Sequence, residues 1–121
     1  MPAAGQVYDL QVPALIGPWK NKETRHPGLI VSRMAPGRDL PWVVVPMTGS
    51  RPFAERITHV ELDRKAGSLD PPLWILCEYP TTVPQDIFDG LTPRGFLPKE
   101  IMALVRHKLG WLLGTGFGAP P

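Results

Sequence analysis

The chain has 121 residues, one cysteine and a formal net charge of +2, which bounds it to one domain with a single modest core and excludes an internal disulfide. So small a charge does not mark a nucleic-acid protein by itself, and no stretch approaches the roughly 18 apolar residues of a membrane span. "MPAAGQ" carries neither the basic nor the apolar region of a secretory signal, and a lone cysteine fits a reducing compartment, so a cytoplasmic protein is expected.

Sixteen prolines and 12 glycines punctuate the chain, with short apolar runs between them. That is the pattern of a small all-β barrel or sandwich with one helix. In chain order, strands are expected at 6–12 (QVYDLQV), 28–33 (GLIVSR), 42–48 (WVVVPMT), 56–63 (RITHVELD) and 72–79 (PLWILCEY). The runs LIV, VVV and LWIL are too short for helices and rich in β-branched residues, which favours buried strands. In the fourth strand, Thr58, Val60 and Leu62 are expected to face the core. Ile57, His59, Glu61 and Asp63 then face solvent, and His59 is assigned no catalytic part. Cys77 lies inside an apolar run and reads as an inert buried thiol.

Residues 97–114 form the one convincing helix, with Ile101, Leu104, Val105, Leu109 and Leu112 spaced to share a face. Pro98 suits the first turn, Glu100 the positive end, and Gly114 or Gly110 the C-terminus. His107 reads as surface, and 114–121 reads as a loose tail after a core of about 5–113.

Two features exclude common chemistries. GTGFG lacks the lysine and the strand–helix context of a phosphate loop. Histidines at 26, 59 and 107 with one cysteine do not space as metal ligands. No cofactor and no metal are expected.

Charge is unevenly placed. Between positions 20 and 38, Lys20, Lys22, Arg25, Arg33 and Arg38 face only Glu23, whereas 55–63 holds Glu55, Glu61 and Asp63 against Arg56. A basic region on a balanced domain suits a phosphate-bearing partner, although a solvated loop has the same look. Near the expected strand ends lie Arg25 and His26, then Thr48, Ser50 and Arg51, then Glu78, Thr81 and Thr82. If these ends converge, the set suits phosphodiester chemistry. Arginine supplies a fork of donors, histidine moves a proton near neutral pH, and a threonine hydroxyl holds a nonbridging oxygen. The plain alternative is capped turns and a Glu78–Arg pair.

The order of segments GQVYDLQVP, RHPGLIVS, VVVPMTGS, THVELD, WILCEYPTTV and the helix 98–113 resembles the MazF/PemK family of toxin ribonucleases, over about residues 5 to 113. The resemblance implies a mainly β, SH3-like barrel with a C-terminal helix, usually a homodimer. It implies metal-independent cleavage of single-stranded RNA, and a partner antitoxin with an acidic disordered tail. It places the catalytic threonine at Thr48, the catalytic arginine beside Pro27 and the strand-five acid at Glu78. On that footing Arg25 stabilises the phosphorane, His26 moves protons and Thr48 binds the scissile phosphate. Lys22, Glu23, Ser50, Arg51, Glu78, Tyr79 and Trp19 complete the expected substrate contacts.

Two positions depart from the family pattern. His26, not an arginine, directly precedes Pro27, and Tyr79 and Thr81 replace the family's Gln and Arg. Neighbouring strand residues point to opposite faces, so Arg25 reaches the pocket of Thr48 only if a loop sets its direction. A diverged barrel that acts by binding a protein, as the gyrase-poisoning CcdB toxins do, is the alternative.

Overall fold

The structure is a computed structural model and describes residues 2–11, 25–32, 41–52, 56–65 and 69–114. Seven strands form one curled half-barrel sheet: β1 (Gln6–Gln11), β2 (Arg25–Ile30), β3 (Trp42–Thr48), β4 (His59–Leu62), β5 (Leu73–Leu76), β6 (Thr81–Val83) and β7 (Gly95–Phe96). A 3-10 turn (Gln85–Phe88) follows β6, and α1 (Lys99–Leu112) closes the described chain. All pairings are antiparallel, in the order β4-β5-β3-β2-β1-β7, with β6 also on β3. The mainly β expectation with one C-terminal helix holds.

β3 organises the sheet. Its Val44 pairs with Ile30 of β2 on one edge and with Thr81 of β6 on the other. Past Val44 the second edge passes from β6 to β5, which takes Met47 and Thr48. One strand thereby serves three partners, and the sheet curls around it.

The centre of the sheet is buried on both faces, and alternation sorts the side chains into two clusters. Val7, Leu29, Val45, Met47, Val60, Leu62 and Ile75 pack on one face beneath α1, with Met102 and Val105 from the helix. Tyr8, Leu10, Ile30, Trp42, Val44, Val83 and Phe88 fill part of the other. Each large apolar side chain buried this way stabilises the fold by about 1.5–3 kcal/mol. The indole N–H of Trp42, which burial would otherwise strand, donates to Gln85 Oε1 at 2.7 Å.

α1 begins after Pro98, carries Glu100 in its first turn, and ends where Gly114 takes a φ of +75° and donates its N–H to the Trp111 carbonyl. Only glycine adopts that geometry cheaply, so Gly114 rather than Gly110 ends the helix. The buried stripe is Met102 and Val105 flanked by Ile101 and Leu109. Leu104 and Leu112, expected in that stripe, are exposed. Leu104 lies about 100° around the axis from Val105, and Leu112 falls on the helix's last turn.

Further boundaries are corrected. β2 starts at Arg25, three residues before the expected strand, so Arg25 and His26 are strand residues and not loop residues. β4 begins at His59, because Ile57 and Thr58 form a turn. β6 and β7 have three and two residues and went unforeseen.

Candidate functional site

In an antiparallel sheet the entry of one strand lies beside the exit of its neighbour. The entries of β2 and β5 and the exit of β3 therefore share one end of the sheet. This brings Arg25 and His26 toward Thr48, with Ser50 and Arg51 just beyond.

Register decides which side chains share a face. Leu29 pairs with Val45 and Ile30 with Val44. Ile30 and Val44 belong to one cluster, Leu29 and Val45 to the other. Alternation from those anchors puts Gly28 and His26 on the face of Pro46 and Thr48. The opposite pairing of β2 agrees, since His26 stands across from Leu10 of the same cluster and Arg25 across from Gln11. Arg25 thus takes the other face, at the exposed margin of the sheet.

The β2–β3 ladder ends with Gly28 opposite Pro46, and His26 and Thr48 each lie two residues beyond that pair on the same face. Thr48 is paired with Trp74, and Trp74 with Glu61. One row, Thr48–Trp74–Glu61, crosses three strands on that face. With strands about 4.8 Å apart, its ends lie roughly 10 Å from each other.

Thr48 is half-buried, and its Oγ1 accepts the Ser50 backbone N–H at 3.2 Å. That bond uses an acceptor lone pair and leaves the hydroxyl proton available to an anion. His26 is half-buried, and burial lowers its pKa from the ordinary 6.5. An imidazole held neutral near physiological pH suits a proton acceptor.

Glu78 occupies a separate position. Its Oε2 lies 2.6 Å from His59 Nε2 and 3.5 Å from Arg56 Nη1. The His59 and Glu78 side chains are only 10% and 11% exposed, whereas that of Arg56 is 56% exposed. The solvent-facing assignment of His59 is therefore corrected. It lies on the face opposite the helix, as alternation requires, but that face is covered there by the turn carrying Glu78. His59 is the residue sequence reasoning missed, and its two-residue spacing from Glu61 was the available signal. Behind the pair, Lys108 of α1 donates to the carbonyls of Ile57 and His59 at 2.5 and 2.8 Å.

An open cleft of about 170 Å³ is lined by Arg56, His59, Glu61 and Trp74. Tyr79 follows the turn and is half-buried, while Ser50 and Arg51 are exposed. Thr81, which stands where the family has arginine, lies in β6 across from Val44. Trp19, Lys22 and Glu23 lie outside the described residues. Cys77 is buried, and its thiol is pushed up to about 12 chiefly by burial, as an inert core thiol should be. Among the described residues no His, Cys, Asp and Glu side chains group as a metal site. No described helix is long and apolar enough to cross a membrane.

Comparison with known proteins fits this layout. No curated protein matches the chain. Among solved structures, an endoribonuclease from a mycobacterial species, in complex with its cognate antitoxin, superposes with a TM-score of 0.72 at 23% identity, covering 98% of this chain and all of that one. MazF from Deinococcus radiodurans gives 0.68 at 22% identity, covering 93% and 96%. The MazE–MazF complex from the same organism gives 0.70 at 23%, covering 95% and 97%. These likenesses establish the fold. The family model for the PemK-like, MazF-like toxin of type II toxin–antitoxin systems matches residues 3–113, and the chain belongs to that family.

Proposed function

We propose that this toxin is an endoribonuclease cutting single-stranded RNA without a metal ion, with His26 and Thr48 as its catalytic pair. The observation that carries the reading is the shared face of His26 and Thr48 on adjoining strands at one end of the sheet. The ribose 2′-oxygen attacks the adjacent phosphorus while the His26 imidazole takes the 2′-OH proton. The bond from phosphorus to the 5′-oxygen breaks, and that oxygen takes a proton from water. The products are a 2′,3′-cyclic phosphate and a 5′-hydroxyl. The Thr48 hydroxyl donates to a nonbridging oxygen, whose charge grows in the transition state. Arg25 and Arg51, exposed at the same end, hold the flanking phosphates.

This arrangement accommodates the departure at the position before Pro27. The residue there shares the face of Thr48, so His26 occupies the place from which the family's arginine would act, and it supplies a proton acceptor. Arg25, one residue earlier, contributes charge from the sheet margin. The alternative of a barrel acting only on a protein is not favoured by the family model or by neighbours described as endoribonucleases.

The partner is an antitoxin, as in the mycobacterial and Deinococcus complexes, with an acidic segment drawn to the arginines around the site. The working form is a homodimer, and the compartment is the cytoplasm.

The test is incubation of pure protein with a mixed RNA in EDTA, with mapping of the new ends. Cleavage leaving 2′,3′-cyclic phosphates at short shared sequences supports the reading, and intact RNA overturns it.

A further inference from the structure

Two residues beyond Thr48 along the row, the cleft lined by Arg56, His59, Glu61 and Trp74 has no part in the chemistry proposed above. At about 170 Å³ it is far smaller than the sites that hold drug-sized ligands and suits a single nucleobase. Its chemistry is asymmetric. Glu61 is exposed, and no other described residue makes a hydrogen bond or ion pair with it. Its carboxylate offers two acceptor oxygens and no donor. Arg56 presents donors only, and although it reaches Glu78 at 3.5 Å its side chain stays 56% exposed.

Trp74, 9% exposed, also lines the cleft. His59 closes the cleft, held by Glu78, and its Nδ1 is buried without a hydrogen-bond partner. The imidazole is fixed by one nitrogen alone, and the cleft is the space beside it.

We infer that this cleft is a guanine-binding subsite for a nucleotide next to the cleaved bond, an inference that rests on the ribonuclease reading. Guanine presents two adjacent N–H donors, at N1 and N2, which match the two oxygens of Glu61. It also presents the O6 and N7 acceptors, which match the guanidinium of Arg56. Adenine and cytosine each offer one exocyclic amino group beside a ring acceptor, and uracil offers one N–H flanked by two carbonyls. Only guanine uses the carboxylate with two bonds and the guanidinium as well.

The placement also fits. The Thr48–Trp74–Glu61 row sets the carboxylate roughly 10 Å from the threonine across two strand spacings. That separation lets a phosphate rest at Thr48 while the base of the same nucleotide enters the cleft beside Glu61. A base splayed from a single strand into a pocket and read along its edge is a common mode of RNA recognition.

The experiment measures binding, which needs no cleavage. Tetranucleotides carrying 2′-O-methyl groups, identical except for G, A, C or U at one position, are titrated against wild-type protein, Glu61→Gln and Arg56→Ala by calorimetry, with each position scanned in turn. One position should prefer G by on the order of 10-fold. Glu61→Gln exchanges an acceptor oxygen for a donor at a solvent-exposed site, so the fold is retained. It should bring the G-containing and A-containing ligands to within about 3-fold of each other, since one bidentate contact carries the discrimination. Arg56→Ala should weaken the G-containing ligand and lower its preference. No G preference at any position, or a preference unchanged in Glu61→Gln, overturns the subsite. Unmodified RNA assayed in parallel separates the two claims. Guanine-dependent binding without cutting upholds the subsite and sinks the nuclease reading, and cutting without guanine preference does the reverse.

Discussion

Thr48 and Trp74 are direct cross-strand partners on β3 and β5. The pairing joins the hydroxyl at the exit of β3 to a residue lining the cleft on β5, so the proposed phosphate and base positions share one stretch of sheet. Cross-strand neighbours have Cβ atoms about 4.5–5.5 Å apart. Movement of either strand therefore moves both parts together.

The His59–Glu78 contact should matter for stability. Both side chains are nearly buried and meet at 2.6 Å, so removing one leaves the other short of a partner. His59→Ala should destabilise the protein by about 1–3 kcal/mol, since the carboxylate keeps only exposed Arg56 as a partner. Urea denaturation measures it. A coupling near zero between His59→Ala and Glu78→Gln in a double-mutant cycle would show that the contact does nothing for the fold.

Lys108 ties α1 to the start of β4 through two backbone carbonyls. Lys108→Met keeps the length of the stem and removes both charge-assisted bonds, at an expected cost of about 1–2 kcal/mol. Amide exchange around Ile57 and His59 should quicken in the variant. Unchanged exchange and stability would mean that the helix is held by its apolar stripe alone.

Burial lowers the His26 pKa from 6.5, so the folded protein binds fewer protons there than the unfolded chain. His26 therefore leaves stability intact above pH 6.5, and stability declines as pH falls through 6.5 toward the lowered folded value. The same shift fixes the acid limb of the reaction. A proton acceptor must be neutral, so kcat/KM should fall with acidity through an apparent pKa below 6.5. An acid limb above 6.5 would remove His26 from that role.

Cys77 makes a contrasting case. With its thiol pushed up to about 12, almost none is thiolate at pH 8, and its surroundings are closed. A disulfide-exchange reagent should label the native protein only at the rate of unfolding and the denatured protein within minutes. Fast labelling of the native state would contradict the burial. The sign for stability is the reverse of a stabilised anion: the unfolded thiol ionises first, so alkaline pH above about 9 favours unfolding.

How much of this was legible in the sequence follows from what each feature depends on. β3 declares itself by a short β-branched apolar run, and α1 by its stripe and by Gly114 after its end. β6 and β7, at three and two residues, are shorter than any window in which alternation shows, and only pairing to β3 and β1 creates them. Alternation placed His59 away from Val60 and Leu62 but could not say what lies over that side. Glu78, 19 residues further along, supplies the cover. The opposite faces of Arg25 and His26 were foreseeable once both were strand residues. Nothing local announced that β2 begins before Pro27, because Arg-His-Pro reads as a loop. The row from Thr48 to Glu61 spans three strands, and its register exists only in the folded sheet.

Cleavage of one RNA in EDTA by wild-type protein, His26→Ala, Thr48→Ala and Arg25→Ala, each confirmed as folded, decides between His26 and Arg25 as the residue that acts with Thr48. The shared face of His26 and Thr48 predicts losses of about 10²–10³-fold in kcat for the first two variants. Arg25→Ala should chiefly raise KM, with kcat within about 10-fold of wild type, as loss of a phosphate-holding charge does. Full activity in His26→Ala beside a collapse of kcat in Arg25→Ala would contradict the account, and would mean that the arginine reaches around the sheet margin to do the work here given to the histidine.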